Sequence, residues 1–169
     1  IATDGLVFTM DPLNEQSWTG PNSSTTYNAV GTHTGSIFND TSGSYGDNNS
    51  FDFDGTDDHI QLSNTINLGT TYSISFWFKT TQSRTSNGTW LAAGSGNGFT
   101  MLLLRNLRIQ FYRGAGADYN YSAQSLSYND GNWHNLVLTR NGTKDISMYL
   151  DATDISFPAS GASGYGSGN

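Results

Sequence analysis

The chain has 169 residues, a formal net charge of −7 and no cysteine. A chain of this length suits one domain and buries about 70% of its unfolded surface, so no disulfide is needed to support a core. Seven basic residues against fourteen acidic ones argue against a groove for nucleic acid and against attraction to anionic membranes. No purely apolar run is longer than four residues, the length of Met101 to Leu104, which is far too short to span a bilayer.

The composition favours strands over helices. Charged residues make up 12% of the chain, against about 25% in an average protein, and Asn, Ser, Thr and Gly supply most of the polarity. These short side chains suit turns and the outer faces of strands. Ala, Glu and Lys, which usually cover helix surfaces, are scarce, and no clear 3.6-residue apolar period is present. We therefore predict an all-β fold with long loops.

The N-terminal 49 residues give weak strand signals. Residues 5–10 predict a first strand, which Asp11-Pro12 would end. Residues 14–49 are rich in Asn, Ser, Thr and Gly, with scattered aromatic residues. Because so long a stretch without regular structure is uncommon in a compact domain, we expect a folded excursion with one short strand near residues 35–38.

Residues 50–62 hold two short alternating runs on either side of Gly55. Successive side chains of a strand alternate between its faces, so Phe51 and Phe53 share one face of the first run. Ile60 lies on the apolar face of the second run. We predict a core hairpin here, with Phe53 and Ile60 buried.

Residues 72–80 form the cleanest strand pattern in the chain. One face carries only large apolar or aromatic side chains and the other carries mainly small or polar ones. Trp77 lies on the polar face, which could be a binding surface. Because Trp is highly buried on average, we expect a loop to cover it. The apolar face consists of Tyr72, Ile74, Phe76 and Phe78.

The C-terminal half predicts two hairpins. The first would turn at Arg105-Asn106, and the second at Asn141-Gly142, a strong hairpin signal between alternating runs. Residues 113–132 are predicted to form a loop. The single domain is expected to span residues 1–155, followed by a Gly- and Ser-rich tail at 156–169. The strands predicted in this half are 90–93, 99–104, 107–112, 133–140 and 146–150.

Four runs in this order resemble one family. Phe53 to Ile60 is similar to its F-D-G-x-x-D-Y-V/I run, and Tyr72 to Lys79 to its "tisfWvk" strand. Asp130 to Arg140 resembles its "dgnWHhvavtr" strand, and Met148 to Asp151 resembles "lYvDG". Together they resemble laminin-G-like domains of the concanavalin A-like lectin/glucanase superfamily.

The resemblance implies a two-sheet antiparallel jelly-roll sandwich. It also implies a non-catalytic module that binds glycans or proteins, often with one calcium ion at the rim of the sandwich. Nothing after Asp151 matches the family's closing "G-x-I-D-E-V-R-I-Y" strand. We expect that strand either to lie beyond this sequence or to be supplied by a partner, since an unpaired strand edge is a template for another chain.

Residues 5–18 resemble the opening of laminin-G-like domains in structural proteins of marine phages and bacteria. This second resemblance implies a module on a virion surface, in a capsid-decorating or fibre-like protein, that contacts coat or fibre proteins or cell-surface glycans. The alternative is a secreted bacterial carbohydrate-binding or adhesin domain. A second copy of the chain is a further candidate partner.

Four carboxylates within seven residues make 52–58 the densest candidate for chemistry. Calcium needs six to eight oxygen ligands at about 2.4 Å, and the family pattern points to Asp57 and Asp58 as ligands. The alternative is turn capping, because Asp side chains bind their own backbone in turns without any metal. The missing closing strand favours capping. The other two carboxylates are Asp52 and Asp54.

The sequence offers no catalytic centre, so we do not expect an enzyme. Glycoside hydrolysis requires two carboxylates that flank the bond, and the superfamily's glycosidases carry them in a Glu-x-Asp-x-x-Glu strand. This chain has one glutamate, Glu15, outside any predicted strand. Its three histidines are dispersed, and we expect His134 to be structural.

Six aromatic residues are candidates for contact with a glycan or a protein. Aromatic rings beside Asn and Ser side chains suit both kinds of ligand. The alternative is that these rings cap the two ends of the sandwich. The candidates are Trp77, Trp90, Tyr112, Tyr119, Tyr121 and Tyr128.

Overall fold

Strands, turns and irregular segments make up the described part of the chain, which contains no helix. None of it can therefore cross a bilayer as a helix. The predicted all-β class is confirmed. The chain divides into two compact units, Ile1–Thr65 and Ile66–Asn169. A computed structural model describes residues 5–20, 23–39, 45–46, 50–83, 88–93, 100–105, 108–113, 118–121, 126–142 and 145–156.

The first unit contains a three-stranded antiparallel sheet in the order β1-β2-β5 and a separate two-stranded ladder of β3 and β4. The short strand predicted at 35–38 is confirmed as part of β2, whereas β1 and β3 were not predicted. The strands are β1 (Thr25–Tyr27), β2 (Thr34–Phe38), β3 (Tyr45–Gly46), β4 (Ser50–Phe51) and β5 (His59–Leu62).

The strand predicted for residues 5–10 is wrong. These residues are irregular, and a side chain supplies hydrogen bonds that a neighbouring strand would otherwise make. The amide of Asn28 accepts a bond from the Thr9 N–H at 2.9 Å and donates one to the Val7 carbonyl at 3.2 Å. One Asn side chain thereby replaces part of a strand ladder.

The core hairpin predicted at 50–62 is also wrong. β5 pairs with β2 and β4 pairs with β3, so the two runs belong to different ladders. Gly55 does interrupt the chain as expected, with φ of +77°. Phe53 is 48% exposed, in contrast to the prediction, while Ile60 is partly buried opposite Ile37 of β2.

The second unit contains two four-stranded antiparallel sheets, in the orders β10-β9-β8-β7 and β13-β12-β11-β6. All six strands predicted in this region are present and both hairpins are confirmed, although Arg105 and Asn141, which were predicted to lie in the turns, belong to β8 and β11. β10 and β13 were not predicted. The strands are β6 (Tyr72–Lys79), β7 (Gly88–Ala93), β8 (Thr100–Arg105), β9 (Arg108–Arg113), β10 (Asp118–Tyr121), β11 (Trp133–Asn141), β12 (Asp145–Leu150) and β13 (Thr153–Asp154).

One apolar cluster joins the two sheets of this unit. Ile109 of β9 lies in the same buried cluster as Leu136 and Leu138 of β11, so the sheets pack face to face as a sandwich. Truncating a buried Leu to Ala typically costs about 2–5 kcal/mol, which makes this cluster the main support of the second unit. Its other buried members are Phe78, Tyr128, Met148, Leu150 and Ile155.

A tight turn joins β12 to β13. Leu150 pairs with Thr153, so the loop contains only Asp151 and Ala152. Both residues have positive φ, at 49° and 64°, as a type I′ hairpin requires. Non-glycine residues adopt this left-handed conformation at a cost, so the turn needs support from its surroundings.

Candidate functional site

The outer surface of the sheet that contains β6 and β11 carries two exposed indoles. Even-numbered residues of both strands point into the sandwich and odd-numbered residues point away from it. Trp77 is 65% exposed and Trp133 is 39% exposed. The loop that was predicted to cover Trp77 does not do so. We call the outward residues Ser73, Ser75, Trp77, Lys79, Trp133, Asn135, Val137 and Thr139 the tryptophan face.

The register of the two strands places the indoles close together. Trp77 pairs with Asn135, and Trp133 pairs with Lys79. Trp77 and Trp133 are therefore diagonal neighbours on one surface, and such positions have Cα atoms about 7–8 Å apart. Sequence analysis missed Trp133 as a site residue, although its position in an alternating strand already placed it opposite the core.

Polar groups lie between and beside the indoles. The Asn135 amide donates hydrogen bonds to the Ser75 hydroxyl at 3.4 Å and to the Phe76 carbonyl at 3.3 Å. These bonds fix the amide between β11 and β6. The tryptophan face thus combines flat apolar rings with an ordered amide, hydroxyl groups and one cation, Lys79.

Behind this face, the buried imidazole of His134 binds two carboxylates. Its Nδ1 lies 2.7 Å from Asp151 Oδ2, and its Nε2 lies 3.0 Å from Asp130 Oδ1. Asp151 also accepts the Asn135 N–H at 2.8 Å, and Asp130 accepts bonds from the backbone and side chain of Asn132. We call Asp130, His134 and Asp151 the histidine clamp. The expected structural role of His134 thus has specific partners.

The electrostatics of the clamp favour a charged imidazole between charged carboxylates. The hydrogen bond that the imidazole donates to Asp151 is the main cause that raises the pKa of His134, and burial acts in the opposite direction. The Asn132 bonds, followed by His134, lower the pKa of Asp130 from 3.8 to about 2. The bond from His134 also lowers the pKa of Asp151.

The acidic turn of the first unit, Asp54, Asp57 and Asp58, is held by its own backbone. Asp54 Oδ1 accepts the Thr56 N–H at 2.6 Å, and Asp58 Oδ2 accepts the Asp54 N–H at 2.8 Å. The bond from the Thr56 backbone is the first cause that lowers the pKa of Asp54. These are the turn-capping contacts that the sequence offered as the alternative to calcium.

The same turn also fits a calcium ion in part. One oxygen from each of Asp54, Asp57 and Asp58 can be chosen so that all three lie within 4.8 Å of one another. Two oxygens bound to one ion at about 2.4 Å are separated by no more than about 4.8 Å, so the spacing is compatible with shared coordination. A bound Ca²⁺ would offset two of the three negative charges and tie the turn together.

The remaining aromatic candidates belong to parts of the chain other than β6 and β11. Tyr128 is a correction: it is 1% exposed, and its ring packs 6.2 Å from that of Phe78 in the core. Tyr112 and Tyr119 are paired on β9 and β10, and Trp90 and Tyr121 lie on β7 and β10. The side chains of these last four residues lie outside the described part of the structure.

A second aromatic surface lies in the first unit. The rings of Phe38 and His59 stack at 4.9 Å with an interplanar angle of 10°. Phe38 and the exposed Phe53 line a shallow depression, together with Asp58. Nothing in the sequence pattern of β2 marked Phe38 as exposed, because its exposure depends on tertiary packing.

Comparison with known proteins identifies the class to which this fold belongs. The chain matches the Laminin_G_3 family model, of the concanavalin A-like lectin/glucanases superfamily, over residues 54–164. This match covers about two thirds of the chain. The chain therefore belongs to this laminin-G-like family, as its strand motifs indicated.

Among solved structures, the chain is similar to mouse laminin alpha1 chain, domains LG4-5. The two are 21% identical, with a TM-score of 0.41, and the alignment covers 52% of this chain and 24% of that one. The chain thus spans about a quarter of the length of the laminin structure. No curated protein matches the chain in sequence. Laminin-G-like domains are typically extracellular, non-catalytic modules that bind carbohydrates or proteins.

Proposed function

We propose that this chain is a non-catalytic recognition module that binds a glycan on the tryptophan face. The observation that carries the proposal is the pair of exposed indoles, Trp77 and Trp133, held as diagonal neighbours on the outer surface of one sheet. Their spacing lets two rings act on one ligand. Family membership supports a binding role rather than catalysis.

A sugar chain matches the chemistry of this surface. A pyranose ring has an apolar C–H face that stacks on an indole and hydroxyl groups at its edge that need hydrogen-bond partners. Asn135 and the neighbouring serines, Ser73 and Ser75, offer such partners along the same surface. Protein interfaces are instead depleted of Ser and Lys relative to the rest of a protein surface, whereas this face carries Ser73, Ser75 and Lys79 beside the indoles.

We further propose that the module acts on a phage virion surface, in a capsid-decorating or fibre-like protein. The support is the resemblance of residues 5–18 to the opening of laminin-G-like domains in phage structural proteins. In this setting the glycan is a component of the host cell surface, and coat or fibre proteins are the structural neighbours. A secreted adhesin domain is the alternative and uses the same face.

The binding proposal predicts that Trp77→Ala and Trp133→Ala each weaken glycan binding. The purified chain is first applied to a glycan array with and without calcium, and the affinity for a positive glycan is then measured by calorimetry. Each lost ring removes one stacking contact, so we expect a decrease of about tenfold per substitution, equal to about 1.4 kcal/mol. Phe53→Ala, which removes an exposed ring from the first unit, is the matched control and should bind like the wild type.

The outcomes separate the alternatives. An array with no binder in either condition would contradict the glycan proposal. Binding that survives the loss of both indoles would place the site elsewhere. Co-purification with coat protein that depends on Trp77 and Trp133 would replace the glycan with a protein ligand on the same face.

The location is tested on particles. Virions purified by density gradient from the phage or lysogen that encodes the chain should contain it, as detected by mass spectrometry and by immunogold labelling of their surface. Recovery of the chain only in the particle-free medium would favour the secreted alternative.

A further inference from the structure

The histidine clamp lies directly behind the tryptophan face. His134 points into the sandwich, while its neighbours Trp133 and Asn135 point outward from the same strand. A displacement of the His134 backbone therefore moves both neighbours. Any group that fixes the position of His134 also fixes one of the two indoles of the proposed site.

The clamp joins three segments at one end of the sheet. Asp130 belongs to the segment before β11, and Asp151 belongs to the turn after β12. Backbone bonds hold two of these segments in place: the Gly131 N–H donates to the carbonyl of Thr80, which directly follows β6, at 3.2 Å, and the Asp151 N–H donates to the Asn135 carbonyl of β11 at 2.9 Å. The imidazole provides the side-chain link between them.

We propose that His134 is a positioning residue of the tryptophan face. It holds Trp133 in its binding arrangement only while its imidazole donates hydrogen bonds to Asp130 and Asp151 together. This inference rests on the proposed function of that face. It adds a regulator to the site: the ligand affinity depends on the protonation of a residue that need not touch the ligand.

Protonation matters because it sets the number of hydrogen bonds that the imidazole can donate. A doubly protonated imidazole has two N–H donors, whereas the neutral ring has one donor and one lone pair. After the loss of a proton, Asp130 or Asp151 would face that lone pair. The two carboxylates also repel each other, since the charge of Asp130 acts to raise the pKa of Asp151. The clamp therefore loses one of its two attachments.

Asp130 and Asp151 are the charged groups that influence the protonation of His134. From β6, the uncharged ring of Phe78 packs 5.8 Å from the imidazole. Tyr128 packs against the same Phe78 ring and stays neutral, because burial raises its pKa. Lys79 lies on the opposite surface of the sheet. The charges that act on His134 come from Asp151 and Asp130.

The pH range follows from the directions of the pKa shifts. The pKa of His134 is raised above its ordinary 6.5, so the clamp is complete near pH 6 and is lost as the pH rises through the raised value. The lowered pKa values of Asp130 and Asp151 keep both carboxylates ionised throughout this pH range. Affinity for the glycan should therefore be highest in mildly acidic solution.

The test combines binding with nuclear magnetic resonance between about pH 5 and pH 9. In the wild type, the Trp133 indole N–H resonance should shift with the same midpoint as the His134 ring, whether or not a ligand is present. Above that midpoint, the affinity for a glycan selected on the array should fall by up to about tenfold per pH unit, as the competent fraction falls. His134→Gln should bind more weakly at pH 6 and show no such dependence.

His59→Gln is the matched control, because it removes an exposed histidine from the first unit and should keep the wild-type profile. If His134→Gln does not fold, Asp151→Asn replaces it and should move the midpoint to lower pH. A His134 titration that leaves the Trp133 resonance unchanged would overturn the inference, even if glycan binding is confirmed. A Trp133 shift that follows His134 without any glycan binding would support the positioning role and reject the proposed ligand.

Discussion

At the scale of single residues, the acidic turn binds its own backbone. Asp54 and Asp58 each use one carboxylate oxygen to accept an N–H of the turn, so the turn is stabilised without an ion. The calcium prediction for Asp57 and Asp58 remains a proposal that adds a ligand to an already folded segment. Its effect should therefore be a gain in stability rather than a condition for folding.

We predict that calcium raises the thermal stability of the wild type and that Asp58→Asn removes most of this gain. A ligand present at 100 times its Kd stabilises the folded state by about 2.7 kcal/mol, which a melting curve detects. Asp154→Asn is the control, because the Asp154 carboxylate accepts a backbone N–H, that of Ser156, in the second unit. An equal response of the wild type and Asp58→Asn to calcium would show that the turn binds no ion.

Residues whose environment depends on distant packing were the ones that sequence analysis placed wrongly. Phe53 carries a core-like pattern, yet it is exposed because its run pairs with β3 rather than with β5. Tyr128 lies in a polar loop region, yet it is buried against Phe78. In each case the burial of the side chain depends on the segment that packs against it. The local sequence does not specify that segment.

At the scale of secondary structure, alternation was a reliable guide. β6, β11 and β12 were predicted because apolar and polar residues alternate along each of them. Asn141-Gly142 marked the hairpin between β11 and β12. The strands that were missed are short: β1, β3, β10 and β13 have two to four residues each. So few residues give no period, and their pairing depends on contacts supplied by a neighbour.

The turn between β12 and β13 predicts a stabilising substitution. Ala152 has φ of +64°, at the position where the family pattern "lYvDG" has Gly. The left-handed conformation costs a non-glycine residue about 1–2 kcal/mol, partly offset by the greater freedom of Gly in the unfolded chain. We expect Ala152→Gly to raise the free energy of unfolding by about 0.5–1 kcal/mol in urea denaturation.

Ala29→Gly provides the comparison, because Ala29 lies in a turn but is not among the residues with positive φ. That substitution should lower the stability by about 0.5–1 kcal/mol. Equal effects of the two substitutions would show that the conformation of Ala152 carries no strain.

At the scale of the whole molecule, carboxylates control the response to acid. The pKa values of Asp54, Asp130, Asp151 and Asp154 are all lowered by hydrogen bonds in the folded state. Below about pH 4 the unfolded chain therefore binds protons that the folded chain does not bind. The stability contributed by these groups is present above that pH and is lost as the pH falls through their lowered pKa values, which for Asp130 is about 2.

We expect the urea midpoint to fall steeply between about pH 4 and pH 2. Asp130→Asn should make this fall shallower, because the folded state then loses a carboxylate whose pKa is about 2. Glu15→Gln makes the same change of charge at an exposed residue of a turn in the first unit and serves as the control. A fall of equal steepness in Asp130→Asn and the wild type would assign the acid sensitivity to other groups.

The alternation of β6 and β11 separates the recognition surface from the core. Substitutions at positions 73, 75, 77, 133, 135 and 137 change what the surface can bind without touching the cluster that joins the two sheets. Insertion or deletion of one residue within either strand would instead turn core side chains outward and surface side chains inward. Both the outer surface and the core would then be lost. A lineage of such modules could therefore change its ligand through point mutations on one side of two strands, with the fold unaffected.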